Sequence, residues 1–221
     1  MSRLSLWLKL VMMFIAGVIL VAGWFGHVAA QESAVSSESK QSIKRFCELA
    51  AAGETDLLKA MIAENGDLRF QRNEDGFYAL HYAAMNGHLE AVELLLVRMG
   101  NTESEQSKFL GTPMQYAAHR GHAKVVELLI EWDADVNARD ANDRTPLIWA
   151  VMGKRKYVVK LLVEKGAKLQ LANKGGWTPL HYAAQSGDQE IFDYLVSKGA
   201  DQEAVNAKGL KPAEIPVADK K

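Results

Sequence analysis

Apolar positions along this chain come in paired blocks, each pair closed by a polar stop. A short block with adjacent alanines, such as Ala83-Ala84 or Ala117-Ala118, gives way at a turn with Gly53, Gly87, Gly121 or Gly187 to a second block built on an apolar pair. Leu57-Leu58, Leu94-Leu95, Leu128-Leu129 and Leu161-Leu162 are such pairs. The stops are Asn65-Gly66-Asp67, Asp133-Ala134-Asp135, Lys165-Gly166-Ala167 and Lys198-Gly199-Ala200-Asp201. Val126, Leu128 and Leu129 lie at helical spacing, which predicts a second helix that buries those three side chains. The alanines predict a first helix that can approach its neighbours closely, so small side chains meet large ones between layers.

One heptapeptide carries the period. It reads Tyr78-Ala79-Leu80-His81-Tyr82-Ala83-Ala84, then Thr112-Pro113-Met114-Gln115-Tyr116-Ala117-Ala118, then Thr145-Pro146-Leu147-Ile148-Trp149-Ala150-Val151, then Thr178-Pro179-Leu180-His181-Tyr182-Ala183-Ala184, at spacings of 34, 33 and 33 residues. Thr112, Thr145 and Thr178 suit the N-cap, and the prolines after them suit the first helical position, where a missing N–H costs little. The turn glycines allow the left-handed backbone that ends one helix and starts the next. Gly153-Lys154 shifts that glycine by one, which predicts an irregular turn. Asp75, Asn137, Asp140 and Asn142 suit tight loops through local bonds to backbone. The second unit holds one extra residue around 101–107, where a longer, mobile hairpin is expected. Lys44-Arg45 stands where the first unit would have Thr-Pro, and Pro216 stops a sixth unit after barely one turn.

Motif, period and glycine positions together resemble the ankyrin repeat over residues 41 to about 215. The resemblance implies an all-α solenoid of about five helix-turn-helix repeats plus a truncated C-terminal unit, with hairpin loops. It also implies a structural role for His81 and His181, whose imidazoles in that family bond the motif threonine and nearby backbone, and the same reading covers His88 and His122. Cys47 aligns with the motif histidine and reads as a small core residue.

Residues 10–30 contain no Asp, Glu, Lys or Arg, follow Arg3 and Lys9, and precede the polar Gln31-Glu32-Ser33. Residues 1–30 read as an export signal with cleavage after Ala30, beyond the small-residue site Val28-Ala29-Ala30. The competing reading is an uncleaved anchor, since 21 uncharged residues suffice to cross a bilayer core. Both place the repeats outside the membrane, because the basic start stays inside. The domain is therefore expected in the periplasm or secreted, or else held at the inner membrane on its outer side. Residues 31–40, rich in Ser and Glu, read as a flexible linker, 41–215 as the repeat domain and 216–221 as a tail.

Composition narrows the chemistry. Lys plus Arg number 26 against 27 Asp plus Glu, a net charge of −1. Loss of Arg3 and Lys9 leaves 24 against 27, so the exported chain would be mildly acidic and nucleic acid is disfavoured as a partner. A single cysteine excludes an intramolecular disulfide and a cysteine-rich metal cluster. His119 and His122 are three apart, yet Gly121 lies between them and no third metal ligand is evident. Lys154-Arg155-Lys156 reads as a solvated helix start rather than a phosphate site, since adjacent helical residues point different ways. No catalytic motif appears, so no enzyme and no cofactor is expected.

In ankyrin proteins partners bind the hairpins and exposed side of the first helices. The resemblance thus implies a protein-binding concave face at Asp75, Phe77, Met85 and Asn86; Phe109, His119 and Arg120; Asn142, Arg144 and Met152; and Lys174, Trp177, Gln185 and Ser186. An alternative gives Phe77 and Trp177 the role of covering loop backbone. The function expected is that of an exported, noncatalytic, monomeric protein-binding module. The alternatives are an accessory protein handling a ligand or haem-like cofactor for an envelope enzyme, and a membrane-anchored scaffold.

Overall fold

The computed structural model describes residues 37–96 and 111–217. Residues 1–30, read as a signal or anchor, residues 101–107, expected to form a longer hairpin, Phe109 and most of the expected tail lie outside the described residues. The chain divides between Lys44 and Arg45. Before that point, residues 37–44 are helical and mostly exposed, so helix begins inside the stretch 31–40 whose composition suggested a linker.

After it come paired helices. α1 comprises residues 45–52. There follow α2 Thr55–Glu64, α3 Ala79–Asn86, α4 Leu89–Leu96, α5 Pro113–Arg120, α6 Ala123–Glu131, α7 Pro146–Met152, α8 Lys156–Glu164, α9 Pro179–Ser186 and α10 Gln189–Ser197. Among the described residues, the sixth unit holds a 3-10 turn at Pro212–Glu214. First helices pack as α3 on α5, α5 on α7 and α7 on α9, while second helices run α2, α4, α6, α8, α10 in a parallel row. This is an all-α repeat solenoid, in which each unit buries its apolar face on its neighbours.

Side-chain size explains the layering. Ala83, Ala84, Ala117, Ala118, Ala150 and Ala183 are completely buried where first helices meet. Between first and second helices lie Leu80, Leu147, Leu180, Leu95, Leu129, Leu162 and Leu195, all buried. The expected burial of Leu128 is corrected by the structure: α6 buries Val125, Val126 and Leu129, and Leu128 is only half-buried. Positions 125, 126 and 129 share one face of a 3.6-residue helix, and Leu128 lies at its edge.

Caps and inter-repeat ties use the same side chains. Thr112 Oγ1 accepts from the Gln115 N–H at 3.3 Å, and Gln115 Oε1 accepts from the Thr112 N–H at 2.8 Å. That amide then donates to the Ala138 and Arg144 carbonyls of the next repeat at 3.0 and 2.8 Å. His81 and His181 do this work with an imidazole. Nδ1 of each accepts from the N-cap N–H, so the proton sits on Nε2, which donates to Gly111 O at 3.3 Å and Leu210 O at 3.1 Å respectively. Ile148 occupies the position in the fourth unit, where only the Thr145 cap remains.

Turns tie the other edge. Gly87 has φ 77°, and a Cβ there would fall 2.4 Å from His122 Nδ1, so the position demands glycine twice over. His122 Nε2 bonds Met85 O at 3.0 Å, as His88 Nε2 bonds Ala51 O at 2.9 Å. The fourth turn is irregular: Lys154 takes the left-handed conformation at φ 56°, while Gly153 lets the His119 carbonyl approach to where a Cβ would be.

Candidate functional site

The hairpins and first helices share a face built from one recurring pair. In three units a hairpin Asn or Asp meets the aromatic residue nine positions later. Asn73 Oδ1 accepts from the N–H groups of Asp75 and Phe77, which fixes the amide so that Nδ2 must donate to the Tyr82 hydroxyl at 2.9 Å. Asn173 repeats this with Gly175, Trp177 and the Tyr182 hydroxyl at 2.8 Å. In the fourth unit the pair is Asp140 and Trp149.

Stacked repeats bring the rings into a row. Phe77 lies 5.5 Å from Tyr82 and 5.6 Å from Tyr116, and Tyr116 lies 5.2 Å from Trp149. His119 meets the Trp149 ring edge-on at 5.7 Å. Trp177 packs on Tyr182 at 5.3 Å. Each of these side chains is half-buried, with one part bound to its own repeat and the rest open.

Arg144 sits amid them. Its Nε donates to Asp140 Oδ2 at 2.7 Å, and its guanidinium lies over Trp149, 4.6 Å from the ring centroid. Asp140 is buried, and four donors surround it: the N–H groups of Asn142 and Arg144 at 2.8 Å on Oδ1, and Arg144 Nε with Trp149 Nε1 at 3.1 Å on Oδ2. This fully bonded carboxylate locks both ring and guanidinium. Burial pushes the Tyr116 and Tyr182 phenols above their ordinary pKa, with the Arg144 charge pulling the other way. Both remain donors at neutral pH.

Phe77, His119, Arg144 and Trp177 of the expected residues join this row. Asp75 and Lys174 are exposed in hairpins, and the Lys174 N–H bonds the Asn142 carbonyl at 3.0 Å. Arg120 is exposed at the end of α5, and Met152 and Gln185 are half-exposed at the ends of α7 and α9. The backbone of Met85 and the side chain of Asn86 serve inter-repeat bonds, Asn86 Nδ2 donating to Ala51 O at 2.9 Å. Ser186 Oγ bonds back to Ala183 O at 2.9 Å. Tyr82, Tyr116, Trp149 and Tyr182 were not anticipated. They occupy the fifth motif position and read as scaffold; the nine-residue offset to Asn73, Asp140 and Asn173 was the signal available.

One local expectation is corrected. Asn137 bonds across repeats, accepting from the Lys168 N–H at 2.8 Å, while Asn73, Asp140, Asn173 and Asn206 hold the hairpins, and Asp135 accepts from the Asn137 N–H. The basic run is exposed at the start of α8, and each side chain also reaches a neighbouring repeat: Lys154 Nζ bonds Ser186 O at 2.8 Å, Arg155 Nε bonds His119 O at 2.9 Å and Lys156 Nζ bonds Glu190 at 2.7 Å. His119 Nδ1 faces the Trp149 carbonyl at 3.2 Å while His122 reaches back to Met85, so the two imidazoles diverge. Cys47 is buried, and burial beside Glu48 raises its thiol to about 11, which keeps it a protonated packing group.

A family model described as ankyrin repeats, in three copies, matches residues 46–140 and 135–206. The chain belongs to the ankyrin-repeat family. No curated protein sequence matches it. Ankyrin repeats are scaffolds for protein–protein interaction. Among the described residues no three or more His, Cys, Asp or Glu side chains are placed to hold a metal ion, and no helix is long and apolar enough to cross a membrane.

Proposed function

We propose that this ankyrin-repeat protein is an exported, monomeric, noncatalytic module that binds a protein partner on its hairpin face. The observation that carries the reading is the row Phe77, Tyr116, Trp149 with Arg144 held over it by Asp140. Aromatic and arginine side chains dominate association energies when a partner desolvates them, and these are already ordered. Export rests on residues 1–30, whose basic start, apolar run and Val28-Ala29-Ala30 boundary suit a cleaved signal.

Site-specific photocrosslinking tests the face. Benzoylphenylalanine in place of Met152 or Gln185 is expected to capture a partner in cells, whereas the same group in place of Tyr157, 68% exposed on α8, is not. Capture from Tyr157 alone would refute the assignment. Intact mass of the native protein is expected to start near Gln31; recovery only as the full chain in membranes would favour an anchor.

A further inference from the structure

On the hairpin face of repeats three to five, the ordered aromatic and arginine side chains offer donors. Asp140, buried at its centre, spends both oxygens on the four internal donors already described. Arg144 spends only Nε, and among the described residues its two terminal nitrogens make no hydrogen bond. The Tyr182 hydroxyl accepts from Asn173, which leaves its own proton available to donate. Among the described residues the Tyr116 hydroxyl has no partner. Charge follows the same sign. The exposed groups at the flanking positions are Arg120 and Lys174, and Asp143 in the same hairpin pairs with Arg139 at 3.9 Å. Glu74 and Asp75 lie one end away, in the second unit. This donor-rich, basic stretch stands on a chain whose net charge is −1.

We infer that the face of repeats three to five takes an acidic segment of the protein partner, with a carboxylate on the Arg144 terminal nitrogens and the Tyr116 and Tyr182 hydroxyls beside it. The inference rests on the protein-binding reading above. Its physical basis is preorganisation: stacking on Trp149 and the Asp140 bond hold the planar guanidinium in place, so little freedom is lost when a carboxylate docks in its fork. An arginine tethered this way recognises planar carboxylates better than a mobile lysine would.

The test uses a phage-displayed random peptide library as the probe, selected on the immobilised full chain. Peptides are assigned to the face if they crosslink to benzoylphenylalanine at Met152 or Gln185. Enriched face-binding peptides are expected to be rich in Asp and Glu and to weaken as salt rises. They should lose about tenfold or more in affinity for Arg144→Gln, the scale of one charge-assisted bond. Since that variant also removes the countercharge of the buried Asp140, the exposed pair Arg120→Gln and Lys174→Gln provides a second measure, with a loss of about threefold or more expected on screening grounds. Face-binding peptides without acidic residues, or with unchanged affinity for both variants, overturn the acidic assignment and leave the binding surface standing. No enrichment, or peptides that crosslink only at Tyr157, overturns both.

Discussion

Gln115 is the sharpest place to test how the repeats are joined. Its side chain is completely buried, and it accepts from the Thr112 N–H while donating to the Ala138 and Arg144 carbonyls. Gln115→Leu keeps the volume and removes all three bonds. The Arg144 carbonyl retains the Asp140 N–H at 3.1 Å, so two groups are stranded, the Thr112 N–H and the Ala138 carbonyl. A buried unsatisfied group costs about 1 to 3 kcal/mol, so the variant should lose about 1 to 5 kcal/mol after about 1 kcal/mol of leucine's apolar gain is set against it. Gln115→His should recover about half of the loss, because an imidazole can accept from Thr112 through Nδ1 and donate to the Arg144 carbonyl through Nε2, as His81 and His181 do in their own units, while the Ala138 carbonyl stays unpaired. Urea unfolding followed by circular dichroism measures both, with hydrogen exchange at Thr112 locating the change. Repeat arrays can unfold in steps, so the exchange readout decides which interface moved. A Leu variant within about 0.5 kcal/mol of the parent, the ordinary spread of neutral changes, would refute the argument. So would a His variant no better than Leu.

Gly87→Ala and Gly166→Ala separate backbone strain from close approach: both glycines are left-handed, at φ 77° and 92°, but only Gly87 faces a neighbour. Thermal unfolding should show about 1 kcal/mol lost at Gly166 and clearly more at Gly87; equal losses would mean that His122 swings away freely. Stability should also depend on pH through His81, whose folded-state pKa is lowered to about 4 by burial, against the bond to the Gly111 carbonyl that favours the protonated ring. The unfolded histidine binds a proton near pH 6.5 that the native one refuses, so its contribution is full above that pH and is lost as pH falls toward 4, by about 3 kcal/mol in all. His81→Gln, which can keep both bonds as Gln115 does, should flatten the urea midpoint between pH 6.5 and 4; an unchanged slope would place the titrating group elsewhere.

Local chemistry made the helices legible. A threonine before a proline, an alanine pair and a glycine each act within a few residues, so the units, their caps and even the displaced turn at Gly153-Lys154 followed from sequence. Leu128 was misplaced because an adjacent apolar pair cannot tell which member faces the neighbour; Val125, three and four residues from Leu128 and Leu129, settles it only once helix phase is known. The proposed binding face was harder. Its rings come from different units and become a row only when the units stack, and the charge that organises it, Asp140, looked like a turn former with a purely local role. The local role is real, since Asp140 does hold two backbone N–H groups, but a carboxylate has acceptor capacity beyond them, and Trp149 and Arg144 take it. The truncated unit shows the same logic in reverse. Asn206 forms the turn as Asn73 and Asn173 do, but Ile215 stands nine residues on where they find tyrosine, and Asn206 Nδ2 is left buried without a partner. Turn formation therefore does not require the aromatic residue. The Asn-aromatic pair is thus a second use of a side chain that the turn has already fixed: in Asn73 and Asn173 the amide whose oxygen holds the loop has a nitrogen left to order a tyrosine on the hairpin face.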